Sequence, residues 1–584
     1  MQKKFLWKIG GEAGFGIMTT GVLFSKIASR MGYHVFDYNE YPSLIRGGHN
    51  TYEVLISDSQ VHASKQEIDL LVCLNKETFT NHRARLSVPS TVIYDEEDFQ
   101  IEDDGYKKIN VPFKKILRET QSPAVMINNI ALGASLAMMR WDFEVIAAII
   151  EKNFARKGQQ VVEQNKKVAQ LGYTHIKNTA ATFISSLFPK VEHEKKIVIT
   201  GNESFCLAAA SADCRLYAAY PMTPSSSILT TLASWAQKLG MVVRHAEDEI
   251  SVINTVLGAS WAGVRAAIGT SGGGFALMVE SISFAGVAEI PLVIYLGMRP
   301  GPATGMPTWT EQGDLLFAVH AGHGEFPKIV LAPGDIDEMA ALTMKAFDLA
   351  DIYQTPVIII ADRFLAESHR STAHAAFHTL LSSYKPDRGK IQPTADQTNG
   401  KYLRYKITED GISPMLIPGQ TGIYYQSNSY EHVEDGHTTE EAATRIEQMN
   451  KRGRKIDTYI KNHFTLPTVI GDLKSASFVF VSWGGNKGPI IEAMKTLQEK
   501  GIASAYIHFT HLFPLNEVRI KVLFSLPKRY ILIENNSHAQ LAKLLRQETG
   551  IHITERFLKY DGRPFYPEEI VNHVTRDVQR STKI

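Results

Sequence analysis

The sequence predicts an α/β fold of several domains, in which parallel sheets are covered by helices. Short apolar runs without helical period alternate with amphipathic segments of helical period along most of the chain, which is typical of alternating strands and helices. The 584 residues are enough for roughly three to four domains. A charged segment poor in apolar residues, PKVEHEKK at 189–196, interrupts the alternation and indicates a boundary between domains.

Composition narrows the class of protein and its partners. The 62 basic and 61 acidic residues give a net charge of only +1, so no nucleic-acid partner is expected. Neither a signal peptide nor a run of about twenty apolar residues is found, which predicts a cytoplasmic protein without a membrane span. Three cysteines without a C-x-x-C motif cannot alone build a disulfide framework, a zinc knot or a four-thiolate iron–sulfur cluster. Any redox centre must therefore come from another subunit.

The first predicted domain begins with a strand at 4–10, a glycine turn (GGEAGFG) and a helix. Free N–H groups at the start of such a helix can hold a phosphate. The glycines lack the G-x-G-x-x-G spacing of a dinucleotide site, so a tight turn without a ligand is the simpler interpretation. A polar loop at 41–49, before a strand at 51–56, is either a functional loop or a surface hairpin.

The second predicted domain has the most regular pattern. It alternates strands at 216–220, 242–245, 264–269 and 292–297 with helices at 228–239, 250–261 and 275–285. Largely apolar strands in this order predict a parallel sheet with helices on both faces. Ligands collect at the carboxyl ends of such strands, and polar turns follow three of them: the turn at Thr223, TSGGG at 270–274 and RPGPATG at 299–305.

The turn at Thr223 has two interpretations from its residues alone. Pro224 is predicted as the first residue of the following helix, whose N–H groups and the nearby hydroxyls of Thr223, Ser225, Ser226 and Ser227 converge where a carboxylate would bind. The alternative is an ordinary strand-to-helix turn in which Thr223 caps the helix.

The remaining chain is predicted as loops followed by another α/β unit. Residues 369–469 are rich in proline, glycine and polar residues, which indicates long loops. One helix is predicted from Thr438, with Glu441 completing a capping box, to about Gly453. From Ser475 onward, strands and helices alternate again, with a helix expected to start at Pro514.

Five motifs together resemble the α subunit of the 2-oxoacid:ferredoxin oxidoreductases: YPMTPSS at 220–226, AEDE at 246–249, TSGGG, RPGPATG and ENNSHAQL at 534–541. GGEAGFG and YPSLIRGGHN resemble the γ domain of that family, fused here in front of the α subunit. FLKYDGRPF resembles the transketolase C-terminal-like domain. The chain departs from the family pattern at Met222, where isoleucine is common, and at Ala303, where serine is common.

The resemblance implies a three-domain arrangement with defined bounds. These are a Rossmann-like γ domain at 1–187, a linker at 188–195, a pyrimidine-type thiamine diphosphate domain at 196–370, connecting loops and a helix at 371–474, and the transketolase C-terminal-like domain at 475–584.

The resemblance also implies an activity. The family decarboxylates a 2-oxoacid oxidatively with thiamine diphosphate, transfers the acyl group to coenzyme A and reduces ferredoxin. This chain has no Gly-Asp-Gly motif for a magnesium diphosphate site. It therefore resembles the pyrimidine-side half, with Mg²⁺ and a [4Fe-4S] cluster expected on a β subunit and (αβ)₂ as the expected assembly. For the first domain, a part in closing over coenzyme A is implied without assigned contacts.

Glu249 is the catalytic candidate carried over from the family. Its position matches the glutamate that hydrogen-bonds the aminopyrimidine ring of thiamine diphosphate and promotes deprotonation of the thiazolium carbon. From the residues alone, Glu249 is equally a first-turn carboxylate that complements the helix dipole, a role that Glu247 and Asp248 would also fit.

Thr223, Arg299 and Thr304 match the substrate-contacting positions of the family. A guanidinium can hold the carboxylate of a 2-oxoacid by two hydrogen bonds, and threonine hydroxyls can orient the oxo group or the carboxylate. The fused arrangement favours 2-oxoglutarate, with pyruvate and branched-chain 2-oxoacids as alternatives. Two other classes stay open: a non-catalytic scaffold that keeps the fold, and another thiamine-dependent enzyme such as a decarboxylase or transketolase.

Overall fold

The computed structural model describes residues 4–44, 47–102, 105–179, 194–392 and 402–581. Three sheets with flanking helices organise the chain, and the predicted α/β class is confirmed. In the part of the chain that the structure describes, no helix combines the length and the apolarity needed to cross a bilayer.

The first sheet has eight strands in the order β6-β5-β4-β1-β3-β2-β14-β7. Its strands are β1 (Lys4–Glu12), β2 (His34–Glu40), β3 (His49–Ser57), β4 (Leu70–Cys73), β5 (Thr91–Tyr94), β6 (Lys107–Asn110), β7 (Lys196–Thr200) and β14 (His369–Ala373). Its helices are α1 (Ile17–Arg30), α2 (Lys76–His82), α3 (Phe113–Glu119), α4 (Ile127–Met138), α5 (Phe143–Phe154) and α6 (Gln159–Thr179). The loop at 41–48 joins antiparallel β2 and β3 as a hairpin, one of its two interpretations, and a function of this loop stays a prediction; Ile45 and Arg46 lie outside the described residues.

The second sheet has seven strands in the order β20-β12-β13-β11-β10-β8-β9. Its strands are β8 (Leu216–Ala219), β9 (Val242–His245), β10 (Ala266–Ser271), β11 (Leu292–Met298), β12 (Ile329–Leu331), β13 (Pro356–Asp362) and β20 (His511–Phe513). Its helices are α7 (Gly201–Ser211), α8 (Ser226–Leu239), α9 (Glu249–Trp261), α10 (Gly272–Val287), α11 (Leu315–His320), α12 (Ile336–Tyr353), α13 (Arg363–Glu367) and α14 (His374–Ser382). All neighbours are parallel except β12 and β20.

The C-terminal part holds the third sheet, in the order β17-β19-β18-β21-β22. A two-stranded sheet of β15 (Ile391–Gln392) and β16 (Met415–Leu416) and the helix α15 (Ala442–Asn462) precede it. Its strands are β17 (Thr468–Ile470), β18 (Phe478–Trp483), β19 (Ser504–Phe509), β21 (Arg529–Glu534) and β22 (Glu555–Leu558). Its helices are α16 (Lys487–Glu499), α17 (Glu517–Leu523), α18 (Gln540–Thr549) and α19 (Pro567–Ser581).

Strand pairing joins different predicted domains at two places. β7 and β14, which flank the predicted second domain, pair with each other and extend the first sheet beyond β2. β20, from the predicted last domain, pairs with β12 of the second sheet. Residues 188–193 of the predicted linker lie outside the described residues, and the domain bounds themselves stay predictions.

Two predicted helix starts in the C-terminal half of the chain are wrong. The helix expected from Thr438 begins at Ala442 and continues past Gly453 to Asn462, and the side chain of its N-cap residue Glu441 makes no capping hydrogen bond. The helix expected at Pro514 begins at Glu517, because the Asn516 side chain accepts a hydrogen bond from Arg519 N and caps it there.

Candidate active site

The candidate site lies at the carboxyl ends of β8, β9, β10 and β11. After β8 the chain forms β9 on one side, and after α9 it returns to form β10 on the other side of β8. This reversal opens a crevice between the turns that follow β8 and β10, where open parallel sheets bind their ligands. The turns of Thr223, Gly272 to Gly274, and Arg299 therefore share one edge of the sheet, as the sequence predicts.

Glu249 is the first residue of α9, and its carboxylate is buried. The side chain of the N-cap residue Asp248 accepts a hydrogen bond from Ser251 N at 2.8 Å, so Asp248 caps the helix. Glu247 lies in solvent with 69% of its side chain exposed, while Glu249 is 4% exposed. Among the described residues, Glu249 Oε1 has no hydrogen-bond partner. A carboxylate can complement the helix dipole while it is exposed to solvent. The burial of Glu249 therefore distinguishes it from Glu247 and Asp248, which are exposed.

A glycine lets the first turn of α10 approach the Glu249 carboxylate. A Cβ at Gly274 would lie 2.6 Å from Glu249 Oε1 and 2.3 Å from Thr270 Oγ1, so only glycine fits there without displacement. The Ser271 hydroxyl at the N-terminus of α10 is also buried without a partner among the described residues. Two polar groups with unused hydrogen-bonding capacity thus face one helix N-terminus, an arrangement that fits a bound polar group.

Arg299 and Thr223 are in direct contact. Arg299 Nη1 donates a hydrogen bond to the backbone carbonyl of Thr223 at 2.9 Å. Burial lowers the pKa of Arg299, while the charge of Asp314 opposes that change. Arginine stays cationic in proteins, and the guanidinium has further N–H groups beyond the one that Thr223 uses. The structure therefore brings together two of the three predicted substrate residues.

The turn around Thr223 differs from both interpretations of its sequence. α8 begins at Ser226, its N-cap is Ser225, and no side chain caps it, so neither the Thr223 cap nor a Pro224 start is found. The Ser225 hydroxyl donates to Met222 O at 2.8 Å, and Ser227 Oγ accepts from Asn202 Nδ2 at 2.8 Å. These two hydroxyls make structural hydrogen bonds, which leaves fewer groups for an anion than the sequence suggested.

Thr304 lies on an exposed loop, five residues after Arg299. The loop folds on itself, with Met306 N donating to Pro300 O at 3.0 Å, and a Cβ at Gly305 would lie 1.8 Å from that same carbonyl oxygen. Thr304 is thus exposed on a compact loop, and its predicted contact with the substrate stays a prediction.

Three polar residues that the sequence reasoning missed follow this loop. Thr308 Oγ1 is buried without a partner among the described residues. Burial raises the pKa of Asp314 to about 6, against the effect of Arg299. Burial also raises the pKa of Glu311 to about 7, and the charge of Asp314 adds to this. The signal was available, since the segment PTWTEQGD follows RPGPATG after Met306 alone and carries two carboxylates.

Comparison with family models matches two parts of the chain. Residues 6–175 match a family described as pyruvate ferredoxin/flavodoxin oxidoreductase. Residues 207–451 match a family described as the thiamine diphosphate-binding part of pyruvate flavodoxin/ferredoxin oxidoreductase. The second match includes Thr223, Glu249, Arg299 and Thr304.

Curated relatives match nearly the whole chain. The 2-oxoacid:ferredoxin oxidoreductase subunit alpha of a Sulfolobus species is 30% identical, covering 99% of this chain and 97% of the relative. Subunit alpha of the second such enzyme of Aeropyrum pernix is 32% identical over 97% of both chains. The 2-oxoglutarate synthase subunit KorA of Methanothermobacter thermautotrophicus is 29% identical over 65% of this chain and 98% of its own.

One solved structure superposes along the whole chain. It is the 2-oxoglutarate:ferredoxin oxidoreductase of Magnetococcus marinus with 2-oxoglutarate, coenzyme A and succinyl-CoA bound. It is 28% identical with a TM-score of 0.90, and the match covers 99% of this chain and 100% of the other. The predicted three-part α/β architecture is confirmed by this match together with the two family models.

Proposed function

Because this chain belongs to the α subunits of the 2-oxoacid:ferredoxin oxidoreductases, we propose that it forms the aminopyrimidine side of a thiamine diphosphate site that oxidises 2-oxoglutarate to succinyl-CoA and CO₂. The observation that carries this proposal is the Glu249 carboxylate, which is buried at the switch point of the second sheet and has one oxygen without a partner in the described part of the chain. A buried carboxylate without a partner is costly, so a ligand is its natural complement.

The residues at this edge fit the cofactor. Glu249 Oε1 would accept a hydrogen bond from the aminopyrimidine ring, and Gly274 leaves the space that this contact requires. Thiamine diphosphate supplies, when bound, an acidic thiazolium carbon and an electron sink for decarboxylation. Glu249 holds the ring proton, and its shielding from water strengthens that hydrogen bond.

Arg299 is proposed to hold the carboxylate of the substrate. Its contact with the Thr223 carbonyl fixes the direction of the guanidinium and leaves other N–H groups available. Two parallel hydrogen bonds to a carboxylate give both affinity and orientation. Thr223 and Thr304 are proposed to orient the oxo group or the carboxylate of the substrate from their two loops.

2-Oxoglutarate is the proposed substrate for two reasons. The solved relative that superposes along the whole chain has 2-oxoglutarate bound, and several relatives are named 2-oxoglutarate synthase subunits. The same neighbour has coenzyme A bound, so coenzyme A is the proposed acyl acceptor. Pyruvate is the alternative, since both family models carry that name.

A β subunit is proposed to complete the enzyme. The sequence has no Gly-Asp-Gly motif for the magnesium diphosphate site and only three cysteines, none in a C-x-x-C motif. The relatives are named subunit alpha, which supports an assembly of unlike chains. We propose (αβ)₂, with Mg²⁺ and a [4Fe-4S] cluster on the β subunit and ferredoxin as the electron acceptor. The purified chain alone is then colourless, and stoichiometric iron bound to it would contradict this division.

The test uses the chain co-expressed with its β subunit. The parent complex should reduce a viologen dye only when 2-oxoglutarate and coenzyme A are both present. In Glu249→Gln, exchange of the thiazolium proton for deuterium in bound cofactor should slow by about 10² to 10⁴. The exposed Glu247→Gln is the matched control and should exchange like the parent.

Three outcomes would contradict the proposal. Equal exchange in Glu249→Gln and the parent, at equal cofactor loading, would remove Glu249 from this role. Turnover with pyruvate but not with 2-oxoglutarate would correct the substrate. A complex that binds no cofactor and turns over no 2-oxoacid would favour a scaffold of the same fold.

A further inference from the structure

The segment Met306–Asp314, named here the bridging segment, lies between the candidate active site and the C-terminal part. It starts at the loop that carries Thr304 and ends at α11. Toward the active site, a Cβ at Gly272 would lie 2.8 Å from Asp314 Oδ2, so this carboxylate lies against the first turn of α10. Asp314 is also close enough to Arg299 for each to affect the pKa of the other.

Gln312 points the opposite way and is fully buried. Its Oε1 accepts hydrogen bonds from Asn486 Nδ2 at 2.9 Å and Asn535 N at 3.1 Å. Its Nε2 donates to Trp483 O at 3.0 Å and to Asp362 Oδ2 at 3.2 Å. A primary amide has two acceptor sites and two N–H donors, and all four are used here.

Most of these partners belong to the C-terminal sheet. Trp483 ends β18, Asn486 follows in the next turn, and Asn535 follows β21. The turn after β18 is shaped around the amide, since Gly484 has φ 62° and a Cβ there would lie 2.7 Å from Gln312 Nε2. The backbone of Gln312 adds two contacts, by donating to Asn535 O at 2.7 Å and accepting from Asn536 Nδ2 at 3.1 Å.

A second glutamine fixes the segment on the other side of Asp314. Gln540 Nε2, on α18, donates to Gly313 O at 2.6 Å, and Gln540 Oε1 accepts from Leu316 N at 2.9 Å. Asp314 is thus bracketed by two residues held from the C-terminal part, Gln312 and Leu316. Gln312 and Leu316 each lie two residues from Asp314, and the Gly313 carbonyl between Gln312 and Asp314 is also held. Because consecutive Cα atoms are only about 3.8 Å apart, these fixed points leave Asp314 little freedom to move.

We propose that Gln312 is a positioning residue for the 2-oxoacid reaction: it holds Asp314 against the first turn of α10, on the Arg299 side of the site, and thereby sets the affinity for the substrate carboxylate. The inference rests on the proposed function of Arg299. It also gives the C-terminal part a role in substrate binding, since the strands that hold Gln312 belong to that part.

The test is Gln312→Met in the complex with the β subunit, because methionine keeps the length and loses all four side-chain hydrogen bonds. The KM for the 2-oxoacid should rise about tenfold, while kcat and the KM for coenzyme A stay within about a factor of two. The matched control is Gln354→Met. Gln354 is equally buried, and its side chain donates to Ser413 O at 2.6 Å. Ser413 belongs to the connecting segment at 371–474 and not to the C-terminal sheet.

Two further measurements separate positioning from a general loss of stability. In an Asp314→Asn background, Gln312→Met should have almost no additional effect on KM, because Gln312 acts through Asp314. Amide hydrogen exchange of residues 306–316 should become faster in Gln312→Met and stay unchanged in Gln354→Met.

Specific outcomes would overturn the proposal. An unchanged KM in Gln312→Met, or fully additive effects with Asp314→Asn, would exclude positioning through Asp314. If Gln312→Met does not assemble, the half-buried Gln540→Met replaces it, and an unchanged KM there has the same meaning. A parent complex without 2-oxoacid turnover would instead refute the proposed function, so the two failures are distinguishable.

Discussion

Replacing Glu534 with glutamine tests whether a buried carboxyl group at the end of β21 destabilises the protein above neutral pH. Glu534 is fully buried. Its Oε1 accepts hydrogen bonds from Trp483 Nε1 at 2.8 Å, Leu541 N at 3.0 Å and Asn536 Nδ2 at 3.1 Å. Oε2 has no partner among the described residues. Burial dominates over these hydrogen bonds and raises the pKa of Glu534 from 4.5 to about 7.

The sign and size of the effect follow from this pKa. Between pH 4.5 and about 7 the folded protein keeps a proton that the unfolded chain releases, so the free energy of unfolding falls as the pH rises. The difference between the pKa of 4.5 and the pKa of about 7 corresponds to about 3 kcal/mol of unfolding free energy, and this contribution is fully lost above pH 7. Glutamine keeps the acceptor oxygen and does not titrate. The free energy of unfolding of Glu534→Gln, taken relative to that of the parent, should therefore rise by about 3 kcal/mol between pH 4.5 and pH 8.

Hydrogen exchange of the β18 and β21 amides measures this locally, which suits a chain of several domains. The ratio of protection in Glu534→Gln to protection in the parent should rise about hundredfold between pH 4.5 and pH 8. Comparison at one pH cancels the intrinsic pH dependence of exchange. A ratio that is the same at both pH values would refute the reasoning.

Glu492→Gln is the control of opposite sign. Burial favours the neutral form of Glu492, but the charges of Lys4 and Lys495 outweigh it and lower the pKa. This carboxylate therefore contributes stability that is present above its unfolded pKa and lost as the pH falls. Glu492→Gln should cost more stability at pH 8 than at low pH, in contrast to Glu534→Gln.

Three other predictions concern the site and the core. Gly274→Ala should lower turnover of the assembled enzyme about 10²-fold with normal subunit assembly, because the added Cβ would displace the Glu249 carboxylate. Normal turnover would exclude the close approach of Gly274 to Glu249. Arg299→Met should raise the KM for the 2-oxoacid roughly ten- to hundredfold, and more than Arg299→Lys; equal kinetics would place Arg299 outside the substrate contact. Glu289→Gln should cost about 3 to 5 kcal/mol, because two buried lysines of α15 lose their counter-ion; unchanged protease resistance of α15 would contradict this.

Local pattern was sufficient for the strands and turns of the second sheet. β9 was predicted at 242–245 and is found at Val242–His245, and the three polar turns lie at one edge as expected. These features depend on apolar runs and on parallel order, both of which are written into short stretches of sequence. α8, α9 and α10 each lie within three residues of the predicted helix bounds.

Features that depend on distant partners were not predicted. The pairing of β14 with β2 joins segments that share no local signal. The capping box at Thr438 is a statistical signature, and in the structure Glu441 itself becomes the N-cap of α15 without a side-chain bond. At Pro514, the proline fixed one backbone angle, but the capping amide of Asn516 determined where α17 starts.

The candidate site was predicted in part for the same reason. Motif resemblance gave Glu249 and Arg299, but the contact between Arg299 and the Thr223 carbonyl requires the two loops to be placed in space. Asp314 and Gln312 lie in an irregular segment without periodicity, and their partners come from α10 and from the C-terminal sheet. Such residues become visible only when the separate parts of the chain are assembled.

β14 covers one edge of β2 and ties that edge to a distant stretch of the chain. Val35 N donates to Ser371 Oγ across 336 positions of sequence, and His369 N donates to Asp37 Oδ1 at 2.7 Å. Expressed alone as residues 1–187, the first part would leave the β2 edge open as a template for strands of other molecules. Covalent connection supplies the correct strand at high effective concentration, so it outcompetes intermolecular pairing. The single-chain arrangement thus protects the first sheet against edge-to-edge aggregation.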